Sequence, residues 1–275
     1  MGESTKQDSP WEMVTLSDPG MIRDHNEDVV EVHPDAGVVI LADGMGGYNA
    51  GEVASALAVA QVGEAVLRHH DIYGFDDEAG LEDVLRSAVA SAHRAILDQA
   101  TAHPECAGMG TTLVMGVFSG GIATLAHVGD SRAYRWNGGQ LSRVTRDHSL
   151  LQEQIDAGVI SAEAARTSSN KNLVTRALGV ENVVVEPEIR RYEIQPGDCF
   201  MFCSDGLSDM VDDDALAELF ATTDSNGPEG LARLARVLVD CANDHGGRDN
   251  VSVALARTAQ RAKTKRGLLQ RIFRR

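Results

Sequence analysis

Residues 111–144 read TTLVMGVFSGGIATLAHVGDSRAYRWNGGQLSRV, and the alternation of apolar and polar positions in this stretch decides the fold class. A period of two predicts strands, and the glycine pairs at 120–121 and 138–139 supply hairpin turns. Consecutive hairpins pair antiparallel, which excludes a doubly wound parallel sheet. The predicted strands here are Thr111–Phe118, Gly121–Val128, Arg132–Trp136 and Gln140–Val144.

Helical periodicity dominates the segments on either side of these strands. Apolar residues recur at helical spacing in two Ala-rich segments upstream, Asn49–His70 and Leu81–Ala102. Further strands are predicted at Trp11–Ser17, Val29–His33, Val38–Ala42, Val183–Ile194, Cys199–Ser204 and Val251–Ala256, and further helices at Ser149–Ala157, Asp213–Ala221 and Pro228–Asp244. This order predicts an α+β protein with sheets in the middle and helix pairs outside.

The chain shows no internal repeat and no linker, so residues 11–257 are expected to form one domain. Residues 1–10 are polar and are expected to be disordered, and residues 258–275 form a basic tail. The last acidic residue is Asp249, whereas Arg257 to Arg275 contains eight basic residues.

Composition narrows the class of function. The 275 residues contain 41 acidic and 25 basic side chains, a net charge of −16, which repels nucleic acid and anionic lipid. Aromatic residues make up 4% of the chain, which disfavours a stacking platform for single strands. The four cysteines show no zinc-ligand spacing and are expected to be reduced. No signal peptide and no apolar run of about 18 residues is evident, so a cytoplasmic protein is expected.

Acidic residues stand repeatedly where apolar strands end or begin. Asp43, Asp130 and Asp205 each follow an apolar run, Asp249 precedes one, and Asn26-Glu27-Asp28 leads into another. Any one of these alone is adequately explained as a turn residue. Together they would place repelling carboxylates at one edge of the core, and a divalent cation relieves such repulsion. Because the ligands are all oxygen, the pattern favours Mg²⁺ or Mn²⁺ over Zn²⁺.

Seven short motifs carry a resemblance to a known family. They are RDHNEDVV (23–30), LADGMGG (41–47), GMGTT (108–112), VGDSRAY (128–134), RDHS (146–149), CSDGLSDM (203–210) and GGRDNVSV (246–253). In order and spacing the series resembles the PPM family (type 2C) of metal-dependent serine/threonine protein phosphatases, bacterial branch. The resemblance spans about residues 11–257.

The resemblance implies a four-layer α-β-β-α sandwich with two central antiparallel sheets, helix pairs on both outer faces and a flap at about 146–182 beside the site. By similarity, Asp43 would bridge two ions, with Asp205 and Asp249 at the first and the Gly44 carbonyl at the second. Glu27 and Asp28 would ligate directly or through water. Asp130 would hold a third, weaker ion together with Asp205, and Arg23 would bind the substrate phosphate.

The implied reaction is hydrolysis of phosphoserine and phosphothreonine in proteins by a water activated between two Mn²⁺ or Mg²⁺ ions. Arg23, Asp43 and Asp205 are the expected catalytic side chains. The implied partners are phosphoproteins and a bacterial Ser/Thr kinase that the enzyme opposes, without nucleic acid, and the enzyme is expected to be a monomer. Two alternatives stay open: a metal-dependent hydrolase of small phosphate esters, and a non-catalytic phosphoprotein-binding module of the same fold.

Three features leave alternatives at this stage. Met45 stands where some family members carry a histidine that is proposed as general acid, so a bound water or His148 would have to serve instead. The polar segment 167–172 of the flap either selects substrates or is a plain mobile loop. The basic tail contacts an anionic membrane surface or a partner, or is a solvated terminus.

Overall fold

The computed structural model describes residues 10–47, 50–161, 164, 173–181, 185–227 and 229–258. Two antiparallel sheets form the centre of the described structure. Their strands are β1 (Trp11–Asp18), β2 (Asp28–His33), β3 (Val38–Met45), β4 (Gly110–Thr111), β5 (Leu113–Ser119), β6 (Ile122–Val128), β7 (Arg132–Asn137), β8 (Gln140–Arg143), β9 (Glu188–Glu193), β10 (Cys199–Cys203) and β11 (Val251–Thr258).

Sheet A has the order β1-β11-β10-β7-β8, and sheet B has the order β2-β3-β5-β6-β9, with the short β4 paired to β3. The helices within the described residues are α1 (Ala50–Tyr73), α2 (Glu78–Ala102), α3 (Leu150–Asp156), α4 (Asp205–Ser208), α5 (Asp213–Thr222) and α6 (Gly230–Asp244). A 3₁₀ turn, Pro104–Cys106, follows α2. The predicted α+β class with two antiparallel sheets and flanking helices is therefore confirmed.

Three layers of buried apolar side chains hold the sheets and helices together, and strand β3 contributes to two of them. Its residues alternate between faces, so Val38 and Ile40 pack against α1 and α2 while Val39 and Leu41 pack against sheet A. Both faces are buried, so the strand reads as a continuous apolar run and not as an alternating one. The third layer joins the other face of sheet A to α5 and α6, where Leu216 and Leu238 are fully buried.

Residues 111–144 do not form one continuous meander, because their two hairpins belong to different sheets. The hairpin β5–β6 belongs to sheet B and the hairpin β7–β8 belongs to sheet A. The chain crosses between the sheets at Gly129-Asp130-Ser131, where Gly129 has a φ of +107° and packs against Thr112. The predicted first strand is also divided, into β4 and β5. Both hairpins were predicted correctly, but nothing local in the sequence marks a change of sheet.

Other predicted boundaries shift by a few residues. Strand β9 begins at Glu188, later than predicted, and the short helix α4 at Asp205–Ser208 was not predicted. The four cysteines are free, as expected. Residues 1–9, 183–184, the flap residues 165–172 and tail residues 259–275 lie outside the described residues, so the expectations placed on them remain predictions.

Helix α1 is the one described helix that is long and apolar enough, by length and composition, to cross a membrane. Half of its most apolar window is buried inside the protein. Ala54, Ala58 and Val62 are part of the core layer that also contains Ile40 of β3. The apolar character of α1 is thus accounted for by its packing on sheet B.

A buried ion pair fixes the end of sheet A where β7 and β10 lie side by side. Asp198 is 2% exposed and accepts hydrogen bonds from the Arg135 guanidinium (2.7 and 2.9 Å), from Asn137 Nδ2 (2.6 Å) and from the Gln195 amide (2.6 Å). Four donors on one carboxylate compensate its desolvation.

Replacing Asp198 by Ala leaves Arg135 without its carboxylate, and we expect a loss of about 3 kcal/mol in the free energy of unfolding. Urea denaturation monitored by circular dichroism measures this loss. The matched control is Glu64→Ala, which removes the carboxylate of the exposed Arg68–Glu64 pair on α1 and should cost at most about 0.5 kcal/mol. Equal losses in both variants would contradict the assignment.

Candidate metal centre

Five aspartates meet where the two sheets end. Asp28 of β2 lies directly opposite Asp43 of β3 in the strand register of sheet B. In sheet A, β10 stops just before Asp205 and its antiparallel neighbour β11 starts just after Asp249, which puts both residues at one end. Asp130 lies at the crossover between the sheets. We call Asp28, Asp43, Asp130, Asp205 and Asp249 the acidic centre.

Burial and mutual repulsion raise the pKa values of four aspartates in this centre. Burial raises the pKa of Asp43 well above its ordinary value, and the charges of Asp28, Asp205, Asp130 and Asp249 add to the shift. Burial, reinforced by Asp130 and other neighbouring carboxylates, does the same to the pKa of Asp205. Burial raises the pKa of Asp28 to about 7 and that of Asp130 to about 6. The centre therefore concentrates more negative charge than its own groups stabilise.

The unpaired oxygens of the centre fit a hard divalent cation. Asp28 Oδ1 is buried and makes no hydrogen bond, while its Oδ2 accepts one from Ser204 Oγ at 2.8 Å. A buried carboxylate oxygen without a donor is costly unless a positive charge meets it. Since the converging side chains are all carboxylates, the donor set suits Mg²⁺ or Mn²⁺.

Hydroxyl groups hold the strands that carry the aspartates. Thr112 Oγ1 accepts a hydrogen bond from the Asp43 amide at 3.1 Å and lies 2.7 Å from Ser131 Oγ, next to Asp130. Ser204 Oγ, besides binding Asp28, accepts from the Ser252 amide at 3.0 Å. None of these side chains was among the site residues expected from the sequence, although each stands inside a quoted motif.

Asn250, which was also not among the site residues expected from the sequence, joins two segments of the site. Its Oδ1 accepts from the Glu27 amide at 2.8 Å, and its Nδ2 donates to the carbonyls of Pro19 (3.0 Å) and His25 (2.9 Å). One buried amide thus joins the segment before β2 to the segment before β11. The position of this Asn directly after the ligand candidate Asp249 was the signal in the sequence.

Two glycines allow backbone segments to meet at the centre. A Cβ on Gly44 would lie 2.1 Å from the Gly51 carbonyl oxygen, and one on Gly206 would lie 2.0 Å from that of Asn250. The first turns of α1 and α4 therefore press directly on Gly44 and on Asn250. Gly44 directly follows Asp43 on β3, so its carbonyl belongs to the same strand end as the acidic centre.

Glu27 stands apart from the other candidates. Its buried Oε1 makes no hydrogen bond, lies 3.5 Å from His25 Nε2, and would lie 2.5 Å from a Cβ built on Gly51. Its carboxylate thus faces the first turn of α1.

Arg23 lies at the edge of the acidic centre. Its side chain is 47% exposed, and one guanidinium nitrogen donates to Asp249 Oδ2 at 2.6 Å. A guanidinium carries five N–H donors, so one bond to a carboxylate leaves donors for another oxyanion.

Met45 packs on Gly110: a Cβ built on Gly110 would lie 3.2 Å from Met45 Cε. The thioether side chain of Met45 has no proton to donate.

A cavity of about 410 Å³ opens beside the acidic centre. Its lining includes Asp130 and Asp205 of the centre and Leu151 and Ile155 of α3. The first helix of the expected flap region therefore borders the acidic centre.

His148 belongs to another cluster, in which possible ligand atoms of His127, His148 and Glu188 lie within 4.8 Å of one another. The Gly129 amide donates to His148 Nδ1 at 3.2 Å, so a neutral ring carries its proton on Nε2, which lies 3.7 Å from Glu188. Burial lowers the pKa of His148 to about 4. A protonated Nε2 cannot bind a metal, and the cavity at His148 is lined by none of the aspartates of the acidic centre.

The raised pKa values predict how the stability of the metal-free protein depends on pH. Carboxyl groups with a pKa raised above the unfolded value stabilise the fold while protonated, and this contribution is lost as pH rises through the folded pKa of about 6 to 7. The pKa values of His127 and His148 are lowered by burial, so these groups change the free energy of unfolding only below about pH 6.5, the pKa of an unfolded histidine. Between pH 6.5 and 8 in EDTA we expect the melting temperature to fall by about 5 °C.

Differential scanning fluorimetry measures this fall. Asp43→Asn removes one repelling charge, so we expect it to raise the metal-free melting temperature at pH 8 and to flatten the pH dependence. The exposed Asp71→Asn on α1 is the control and should match the original chain. A melting temperature that increases from pH 6.5 to 8 would refute the electrostatic account.

The family model described as protein phosphatase 2C matches residues 23–239. The serine/threonine protein phosphatase PstP of Mycobacterium tuberculosis (strain CDC 1551 / Oshkosh) is 40% identical over 242 residues, which are 87% of this chain and 43% of that protein. This chain thus spans less than half the length of that relative. The serine/threonine phosphatase stp of Listeria welshimeri is 36% identical over 87% of this chain and 92% of its own length.

Solved structures agree with the family model. The catalytic domain of PstP in complex with two manganese ions superposes with a TM-score of 0.76 at 36% identity, covering 91% of this chain and 99% of that one. The match extends over both sheets and their flanking helices. This chain is therefore a member of the protein phosphatase 2C family.

Proposed function

We propose that this chain is a metal-dependent protein phosphatase that hydrolyses phosphoserine and phosphothreonine in proteins. The observation that carries the proposal is the acidic centre, where five aspartates converge, burial raises the pKa values of four of them, and Asp28 Oδ1 has no donor. The relatives named as serine/threonine phosphatases and the manganese-bound PstP structure support the same reading.

The proposed ligand assignment follows the positions in the fold. Asp43, Asp205, Asp249 and the Gly44 carbonyl would hold two Mn²⁺ or Mg²⁺ ions, with Asp28 as a direct or water-mediated ligand. Asp130, together with Asp205, would hold a third and weaker ion. Glu27 is kept only as a water-mediated candidate, because its carboxylate faces α1.

Bound divalent ions supply positive charge and lower the pKa of coordinated water, so the protein needs no nucleophilic side chain of its own. The aspartates would place this activated water at the end of the two sheets where the acidic centre lies. Arg23, half-exposed beside Asp249, binds the phosphate oxygens and stabilises the charge that spreads over them as the P–O bond breaks. Its planar fork suits two oxygens at once.

The proton for the leaving alkoxide comes from water in this proposal. Met45 has no proton to donate, and both ring nitrogens of His148 face partners outside the acidic centre. The proposed substrates are phosphoproteins of a bacterial cytoplasm, where the enzyme opposes a Ser/Thr kinase. We further propose that it acts as a monomer, with one domain at residues 11–257 and a flap at about 146–182.

Asp205→Asn should lower kcat for a phosphothreonine peptide by about 10³-fold or more, because it removes a charged ligand from the centre. Phosphate release in Mn²⁺ buffer measures the rate, and EDTA should abolish the activity of the unmodified chain. The control Asp71→Asn should keep full activity. Hydrolysis that persists in EDTA would refute the proposal, and faster hydrolysis of nucleotides than of phosphopeptides would favour a small-ester hydrolase.

Arg23→Ala should lower kcat/KM for phosphopeptides by about 10²-fold, since the lost interaction stabilises charge in the transition state. Arg23→Lys should recover only part of the loss, because an ammonium group lacks the bidentate fork. Steady-state kinetics on both variants give the comparison, with the exposed Arg68→Ala as control. An Arg23→Ala variant as active as the original chain would rule out the phosphate-binding role.

A further inference from the structure

Two large apolar side chains stand exposed directly beside Arg23. Met21 is 67% exposed and Ile22 is 68% exposed, and both belong to the short segment between β1 and β2. Exposed apolar side chains are common, and this pair is distinguished by its place directly before Arg23, which donates to Asp249 of the acidic centre at 2.6 Å. We call Met21 and Ile22 the rim.

The backbone of the rim is held firmly. The Met21 amide donates to the Gly247 carbonyl at 2.7 Å, and the preceding Pro19 carbonyl accepts from Asn250 at 3.0 Å. Gly20, with a φ of +80°, packs so closely that a Cβ would lie 2.2 Å from the Asp249 carbonyl oxygen. The rim is therefore displayed on a segment locked to the strand end that carries Asp249, so its exposure does not come from a loose loop.

We propose that the rim binds an apolar side chain of the substrate protein at a position next to the phosphorylated residue. This inference rests on the proposed phosphatase function and adds the substrate class. When a phosphorylated side chain points into the acidic centre, the residues that flank it stay at the level of the mouth. Ile22 directly precedes Arg23, and consecutive Cα atoms are 3.8 Å apart, so the backbone of the rim runs beside the residue that holds the phosphate in the proposed function.

The rim gives the enzyme a preference for apolar residues beside the phosphorylated residue. A small phosphate ester has no flanking residues and cannot show this preference. Burying about half of one such side chain corresponds to about a tenfold gain in kcat/KM. Four phosphothreonine peptides that differ only in Leu or Ser directly before and directly after the phosphothreonine test this preference. We expect kcat/KM of the unmodified chain to be about tenfold higher for the peptide with Leu on both sides than for the peptide with Ser on both sides.

The double variant Met21→Ser, Ile22→Ser should reduce that ratio to about one. The matched control is Ile72→Ser, Tyr73→Ser, another exposed apolar pair, which lies at the far end of the 24-residue helix α1 and should retain the tenfold preference. Because the readout is a ratio between two peptides on one enzyme, a general loss of activity does not imitate it. Ile22→Thr, which keeps the branched shape, provides a milder second variant with an intermediate ratio.

Equal rates of the unmodified chain on all four peptides would overturn the inference, as would a preference that survives in the double variant. Hydrolysis of an aryl phosphate by the unmodified chain separates the two levels of the argument. If the aryl phosphate and all four peptides are hydrolysed and the peptides show no preference, the rim assignment fails and the protein phosphatase function stands. If neither class of substrate is hydrolysed in Mn²⁺, the proposed function itself fails.

Discussion

Repulsion among five carboxylates at the ends of two sheets is the constraint to which the rest of the structure responds. Burial raises the pKa of Asp43, and the charges of four neighbouring aspartates raise it further. Such a cluster persists only if the surrounding framework is rigid enough to keep it from spreading apart. Close glycine contacts, buried hydroxyls and the Asn250 amide supply that rigidity without adding positive charge.

The framework is built from segments far apart in the sequence. Ser204 joins Asp28 to the start of β11, and Asn250 joins the segments before β2 and before β11. Each sheet thus contributes ligand candidates, and side chains of one sheet position those of the other. The proposed function consequently depends on the packing between the sheets, where Phe200 and Phe202 meet Leu41 and Val114.

The sequence revealed the class of the fold and the aspartates because both follow from local patterns. Strand periodicity and turn residues predicted the hairpins, and acidic residues at strand ends predicted that they converge. Three features needed the tertiary structure: the change of sheet at Gly129, the turn of Glu27 toward α1, and the pairing of Arg23 with Asp249. Each depends on which segment packs against which, and neither the alternation of residues nor a motif spacing contains that information.

The first and last described strands lie side by side, with Trp11 opposite Thr258. Strand β11 begins beside the acidic centre and ends at this pair, so the chain enters and leaves the domain at the pole remote from the mouth. Both of these strand ends therefore stand a full strand length away from the acidic centre.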